Sequence, residues 1–235
     1  YSISSYYAFV HNDGNTAYYV IRQGGFALGG LVVMFIVSFI PYDKWLKLTT
    51  LAYWVALGLC IVVNFVGKKV NGQRRWIELG PISFQPSELG KVAIILIIAK
   101  IIYQSPKCLD KIRNILKMTF FYAGPIIAAV VINNLSTAII LAGITFCMMF
   151  VASSRKEVFG AAIVVVLMIA TCFVIYALNV EEPSHYWITR IQIWRNVETH
   201  EKGYQTLQGL YAIGSGGIFG VGLGNSMQKL GFVPE

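Results

Sequence analysis

The chain has 235 residues, of which 56% are hydrophobic and only 13% charged, with a formal net charge of +8. Its apolar residues come in blocks too long for a soluble core, which excludes a soluble domain and a nucleic-acid binder and points to an integral membrane protein. Four cysteines, Cys60, Cys108, Cys147 and Cys172, stand far apart and three lie in apolar blocks, so neither a CxxC metal motif nor a disulfide framework is suggested. They read as small buried hydrophobes.

The chain opens on Tyr1-Ser2-Ile3 and stops at Val233-Pro234-Glu235, and both ends read as cut. Between them, apolar runs at about 24–40, 46–66, 89–103, 119–132, 135–152 and 158–178 predict six membrane spans, since roughly 20 apolar residues cross a bilayer. The expected fold class is an all-α polytopic helical bundle. Asn133-Asn134 divides what would be one overlong run, and two carboxamides facing lipid would cost several kcal/mol unless they found partners. A tight helical hairpin is predicted there.

Six spans put residues 1–22, 67–91 and 180–235 on one side and the connectors 41–45, 104–118 and 153–157 on the other. The first side carries ten Lys and Arg and the second nine, but the second packs them into short connectors, the kind that obey the positive-inside rule. That places the connectors in the cytoplasm and the long segments outside. Ten basic groups kept outside suggest an anionic ligand. Lys68 and Lys69 could equally anchor a helix end at headgroup level.

The stretch NGQRRWIELGPISFQPSELGK, residues 71–91, concentrates polar chemistry at this outer edge. Arg74 and Arg75 beside Trp76, ahead of a Gly80-Pro81 turn, suit a phosphate-bearing headgroup because guanidinium forks pair with phosphate oxygens. Pro86 is placed to start a helix and Glu88 falls in its first turn, where a carboxylate suits the positive end of the dipole. Lys91 is either an i,i+3 partner of Glu88 or a cation facing a cavity.

The outer segment 180–235 carries Glu181, Glu182, His185, Arg190, Arg195, Glu198, His200, Glu201, Lys202 and Lys229. Its Gly216, Gly220 and Gly224 have a four-residue spacing that would bring backbones close if helical, while the GxGxxG order of a dinucleotide site is missing. Short helices and turns, half inserted and lining a wet cavity, are expected there.

Three stretches, residues 71–91, RIQIWRN and GYQTLQGLYAIGSGGIFGVGLGNSMQKLGFVPE, in this order and with spans between the first and the other two, resemble the SEDS family, the FtsW, SpoVE and RodA proteins of cell shape and division. Gly222-Leu223-Gly224-Asn225-Ser226 with Gln228-Lys229 is more similar to the FtsW and SpoVE branch. The resemblance covers nearly the whole chain and implies a single domain over 1–235, six spans of a fold of about ten, with 180–235 as a large extracytoplasmic loop. It implies a peptidoglycan glycosyltransferase of the bacterial cytoplasmic membrane that polymerises lipid II by an inverting transfer, with membrane lipids around it, a class B penicillin-binding protein as partner and a divalent cation, Mg or Mn, as a candidate cofactor. A lipid II flippase and a non-catalytic division scaffold are the rival functions. Carried over by position, Trp76 matches a tryptophan important for activity. Arg75, Gln85, Glu88 and Lys91 match the QPSE segment and its flanks, and Arg190 and Lys229 match basic positions of the outer loop. Glu235 matches a glutamate that the family follows with His-Thr-Asp, whose aspartate is the proposed base. Asn134 departs from the family, which often has an aspartate there.

Overall fold

The computed structural model describes residues 15, 17–70, 73–80, 82–180, 186–198 and 203–222. In chain order these form α1 (Tyr18–Ser38), α2 (Tyr42–Val66), β1 (Lys68–Val70), β2 (Gln73–Leu79), β3 (Ile82–Phe84), α3 (Pro86–Gln104), a 3-10 turn (Cys108–Asp110), α4 (Ile112–Met118), a π turn (Thr119–Ala123), α5 (Gly124–Val131), α6 (Leu135–Ala152), α7 (Lys156–Asn179), α8 (Tyr186–Arg195) and α9 (Tyr204–Gly216). The chain divides into two compact units, Ile40–Val165 and Tyr1–Phe39 with Val166–Glu235.

The unit Ile40–Val165 is built around α3. Pro86 occupies the first helical turn, where its missing N–H removes no bond, and Glu88 sits in the same turn. The helix buries Ala93, Ile94, Ile97 and Ile98 and packs chiefly on α2, then on α6, while α2 and α6 both meet α5. Gly90 permits this closeness: a Cβ there would stand 3.2 Å from Ile126 Cγ2 and 3.4 Å from Cys60 Sγ. Outward-facing apolar side chains such as Leu51, Trp54 and Ile139 stay exposed, as a lipid solvent allows.

From Ile112 to Val131 the chain is helical throughout, but it widens into a π turn just before Pro125. Proline has no N–H and crowds the carbonyl four residues back, that of Phe121, so the local bond pattern must shift. The hydroxyl of Tyr53, on α2 and only 2% exposed, donates to Tyr122 O at 2.9 Å and Phe121 O at 3.3 Å. A carbonyl freed at membrane depth thus gains a donor from the neighbouring helix.

The predicted hairpin at Asn133-Asn134 is present. Asn134 is the N-cap of α6, its Oδ1 accepting from Thr137 N at 3.2 Å, and its own N–H donates to Val130 O at 2.8 Å. On the other side of the unit Ser153 Oγ donates to Leu109 O at 3.0 Å, tying the connector after α3 to the corner between α6 and α7.

In the second unit, α1 shows exposed apolar side chains on every face, the pattern of a lipid-facing helix. The short α8 is fastened to the end of α7, with Gln192 Nε2 donating to Val180 O at 2.6 Å and Ala177 O at 3.1 Å, and Ile188 and Ala177 buried. In the glycine-rich stretch from Tyr204 the described residues form one short helix, α9, followed by turns, as expected.

Several expectations need correction. Among the described residues five helices meet the expected length and apolarity of a membrane span: Val20–Ser38, Tyr42–Val66, Ile112–Val131, Leu135–Ala152 and Lys156–Asn179. The third run is the helix α3, but Glu88, Lys91 and Lys100 lower its apolarity and protein shelters it. The fourth starts at Ile112 rather than 119, so Arg113 and Lys117 belong to a helix instead of a connector. Gly216 ends α9, while Gly217 and Gly220 have φ of +56° and +71°, so Gly216 and Gly220 mark a helix stop and a turn rather than a packing face; Gly224 lies outside the described residues. Cys60 is buried, but Cys147 and Cys172 face outward, because a thiol is apolar enough for lipid. Cys108 is half-buried, and burial pushes its thiol pKa up.

Tyr53→Phe keeps the ring and removes the donor to the π turn. Its unfolding free energy in detergent micelles or bilayers is expected to fall by about 1 kcal/mol; an unchanged value would mean that the turn needs no outside donor.

Candidate functional site

Residues 68–84, expected only as a loop with a turn, form a three-stranded antiparallel sheet in the order β1-β2-β3. Lys69 pairs with Arg74 and Ile77 with Phe84, and Gly80, at φ +66°, turns β2 into β3. The turn at Gly80 was legible because glycine tolerates positive φ. The strands were not, since their flanking charges mask any period of two.

That period decides what each side chain meets. Arg74, Trp76 and Glu78 lie on the exposed face of β2, and Arg75 and Ile77 turn inward, half-buried. The image of two guanidinium forks side by side with the indole is therefore corrected: Arg75 and Trp76 point to opposite faces. Trp76 is 37% exposed.

Both arginines are engaged with backbone carbonyls. Arg74 Nη1 donates to Phe65 O at 2.6 Å and Asn64 O at 3.3 Å, two carbonyls of the last turn of α2 that have no intrahelical donor. Arg75 Nε donates to Asn133 O at 2.6 Å, at the corner between α5 and α6. A cation at the carbonyl end of a helix also meets the negative end of its dipole.

Asn64 binds the same corner from α2. Its Nδ2 donates to Cys60 O at 2.9 Å and Ala129 O at 3.0 Å, and its Oδ1 accepts from Asn133 Nδ2 at 2.6 Å. Asn133 Oδ1 in turn accepts from the Arg74 N–H at 3.3 Å. The two adjacent carboxamides thus find partners, as membrane depth demands. Asn64 carried no signal in the sequence beyond being a lone amide inside an apolar run.

These groups line a small, half-open cavity of about 20 Å³, bounded by Asn64, Arg74, Arg75, Gln85, Ser87, Asn133 and Asn134 together with apolar residues of α2 and α5. Ser87 Oγ, in the first turn of α3, is buried and has no hydrogen-bond partner among the described residues. A hydroxyl left dry costs about 1–3 kcal/mol, so Ser87 calls for a partner beyond the described residues, and a space of this size accommodates a water molecule. Guanidinium, hydroxyl and helix N-terminus all favour an oxygen ligand with negative charge.

The remaining predicted residues divide as follows. Gln85 precedes α3 and lines the cavity. Glu88 and Lys91 form the bland option, an i,i+3 ion pair of 2.8 Å on α3, and neither lines the cavity. Lys68 pairs with Glu78 at 2.7 Å on the surface. Arg190 lies exposed on α8 in the other unit. Lys229 and Glu235, like His185 and His200, lie outside the described residues. No group of three or more His, Cys, Asp or Glu gathers among the described residues, so these side chains do not by themselves make a divalent-cation site.

A polytopic helical bundle with a polar corner at the ends of its helices is the architecture of an integral membrane protein. The chain belongs to the FtsW/RodA/SpoVE family of cell cycle proteins, which it matches over residues 1–235, and is a multi-pass protein of the bacterial cytoplasmic membrane. It is 34% identical over its full length to the probable peptidoglycan glycosyltransferase FtsW of Trichlorobacter lovleyi, covering 61% of that protein. The FtsW of Buchnera aphidicola, also named a probable peptidoglycan glycosyltransferase, is 29% identical over 87% of this chain and 54% of its own length. The chain thus spans a little over half the length of these relatives. Among solved structures it is similar to a chain of a peptidoglycan synthase complex that coordinates polymerization and crosslinking, with a TM-score of 0.63 and 27% identity over 83% of this chain and 56% of that one. The rod-shape-determining protein RodA of Thermus thermophilus gives a TM-score of 0.50 and 26% identity over 61% of this chain and 48% of that one.

Arg74→Ala strips the last carbonyls of α2 of their donor on an exposed face. A loss of about 1 kcal/mol in unfolding free energy is expected, read by thermal or denaturant melting of the detergent-solubilised protein; a change below a few tenths would remove Arg74 from the role of helix cap.

Proposed function

We propose that the protein containing this chain polymerises lipid II into glycan strands at the outer face of the membrane, working with a penicillin-binding protein that crosslinks them. What supports the reading is the cavity corner at the start of α3, lined both by a half-buried guanidinium, Arg75, and by the buried hydroxyl of Ser87, which has no partner among the described residues. Family membership and the names of the relatives point to the same chemistry.

The reaction is an inverting glycosyl transfer. The 4-hydroxyl oxygen of the acceptor sugar forms a bond to the anomeric carbon of the donor, the bond from that carbon to the diphosphate breaks, and undecaprenyl diphosphate departs with the bonding pair. A carboxylate takes the proton of the attacking hydroxyl, a contribution of about 10² to 10⁴-fold; in this reading it is the aspartate that the family resemblance places after Glu235. Charge builds on the departing diphosphate, and preorganised cations lower the barrier most where charge develops. Arg75 is the cation assigned to that oxygen, with Lys91 as a further cation on α3; Trp76 and Arg190 have only the roles that the resemblance implies. Lys229 and Glu235 keep the roles that the resemblance implies.

Arg75→Ala and Lys91→Ala are each expected to lower the rate of lipid II polymerisation by tenfold or more in the full-length protein with its synthase partner, at matched amounts of folded protein. Assay in detergent, where there is no membrane to cross, separates polymerisation from flipping. Parental rates in both variants would overturn the assignment.

A further inference from the structure

We infer that Asn64 and Asn133 are positioning residues for Arg75, an inference that rests on the reading above in which Arg75 meets the lipid diphosphate. A guanidinium is useful as a charge clamp only if its plane is held, because a misplacement of about 1 Å can lower a rate about 10²-fold. Arg75 has one bond that sets its plane among the described residues: its Nε donates to the backbone carbonyl of Asn133 at 2.6 Å. Nε takes the structural load, and the two Nη groups remain for the cavity side.

The Asn133 carbonyl sits on a two-residue corner, which needs anchoring of its own. The Asn133 side chain provides it on two sides. Its Nδ2 donates to Asn64 Oδ1 at 2.6 Å, and its Oδ1 accepts from the Arg74 N–H at 3.3 Å, one residue before Arg75 on the same strand. Asn64 is held in turn, since both of its amide hydrogens are used on α2 and α5, at Cys60 O and Ala129 O. Every polar atom of the Asn64 amide thus has a defined partner, which leaves a single orientation for it. The chain of bonds runs from α2 through Asn64 to Asn133 and on to Arg75, closing on β2 at Arg74. An apolar residue at 64 would keep the bulk and release the corner; a carboxylate would set an acceptor against Ala129 O.

A cycle in the full-length protein tests the proposal, with lipid II as substrate. Asn64→Leu is made in the parental background and with Arg75→Lys, which keeps charge and measurable activity but lacks the guanidinium plane. In the parental background Asn64→Leu is expected to lower the polymerisation rate about tenfold and to raise KM for lipid II at least threefold; a mere loss of folded protein would leave KM unmoved. With Arg75→Lys the added effect of Asn64→Leu is expected to be below about twofold, because nothing is left to position. Asn133→Ala carries the same cycle should Asn64→Leu fail to accumulate. Equal losses in both backgrounds, or a lower rate with unchanged KM, overturn the proposal and leave Asn64 a packing residue. A parental rate in Arg75→Ala alone overturns the underlying reading of Arg75, and the positioning role falls with it; a low rate in Arg75→Ala combined with equal losses in the cycle overturns only the positioning role.

Discussion

A backbone carbonyl without a donor is tolerable in water and expensive in a bilayer, and the unit around α3 is arranged by that constraint. Wherever its helices stop, bend or widen at membrane depth, a side chain from another element supplies the missing bond. Tyr53 serves the π turn ahead of Pro125, Asn64 serves Ala129 near the end of α5, Arg74 serves the last turn of α2, and Arg75 serves the corner after α5. These long-range bonds join α2, α5 and β2 more specifically than apolar contact can, since apolar side chains are as comfortable in lipid as in protein.

The same bonds assemble the candidate site. The sheet of residues 68–84 stands over the ends of α2 and α5 because its arginines are the donors those ends lack, and the small polar cavity is the space left among the caps. Stability and the proposed chemistry therefore meet in one residue: Nε of Arg75 holds the corner, and among the described residues its other two nitrogens make no hydrogen bond. The surface ion pairs Lys68 with Glu78 and Lys91 with Glu88 are of another kind. Exposed pairs of this sort contribute little, and they leave the geometry of the corner to the amides and guanidinia.

Much was legible where a residue type has one local meaning. Pro86 followed by Glu88 announced the start of α3, Gly80 announced a turn, and Asn133-Asn134 announced the break between α5 and α6, because proline, glycine and asparagine act on their own backbone within a few residues. Strands β1 to β3 were not legible, since seven residues or fewer with charges on both faces and no core of their own look like a loop. The π turn was equally hidden: Pro125 reports a broken bond, but not which neighbour repairs it.

Sequence alone determined a membrane protein of apolar helices, the order of its segments and the family its motifs resemble, all of which follow from composition, hydropathy and local backbone chemistry. Only the tertiary structure decided that Arg74 and Arg75 part to opposite faces of a strand, that each closes a different helix end, and that Asn64, silent in its apolar run, holds the corner where Arg75 is set. The physical reason is distance along the chain: Asn64 and Asn133 are 69 residues apart and meet through a 2.6 Å bond, and a hydrogen bond between remote residues leaves no periodicity for a sequence to display.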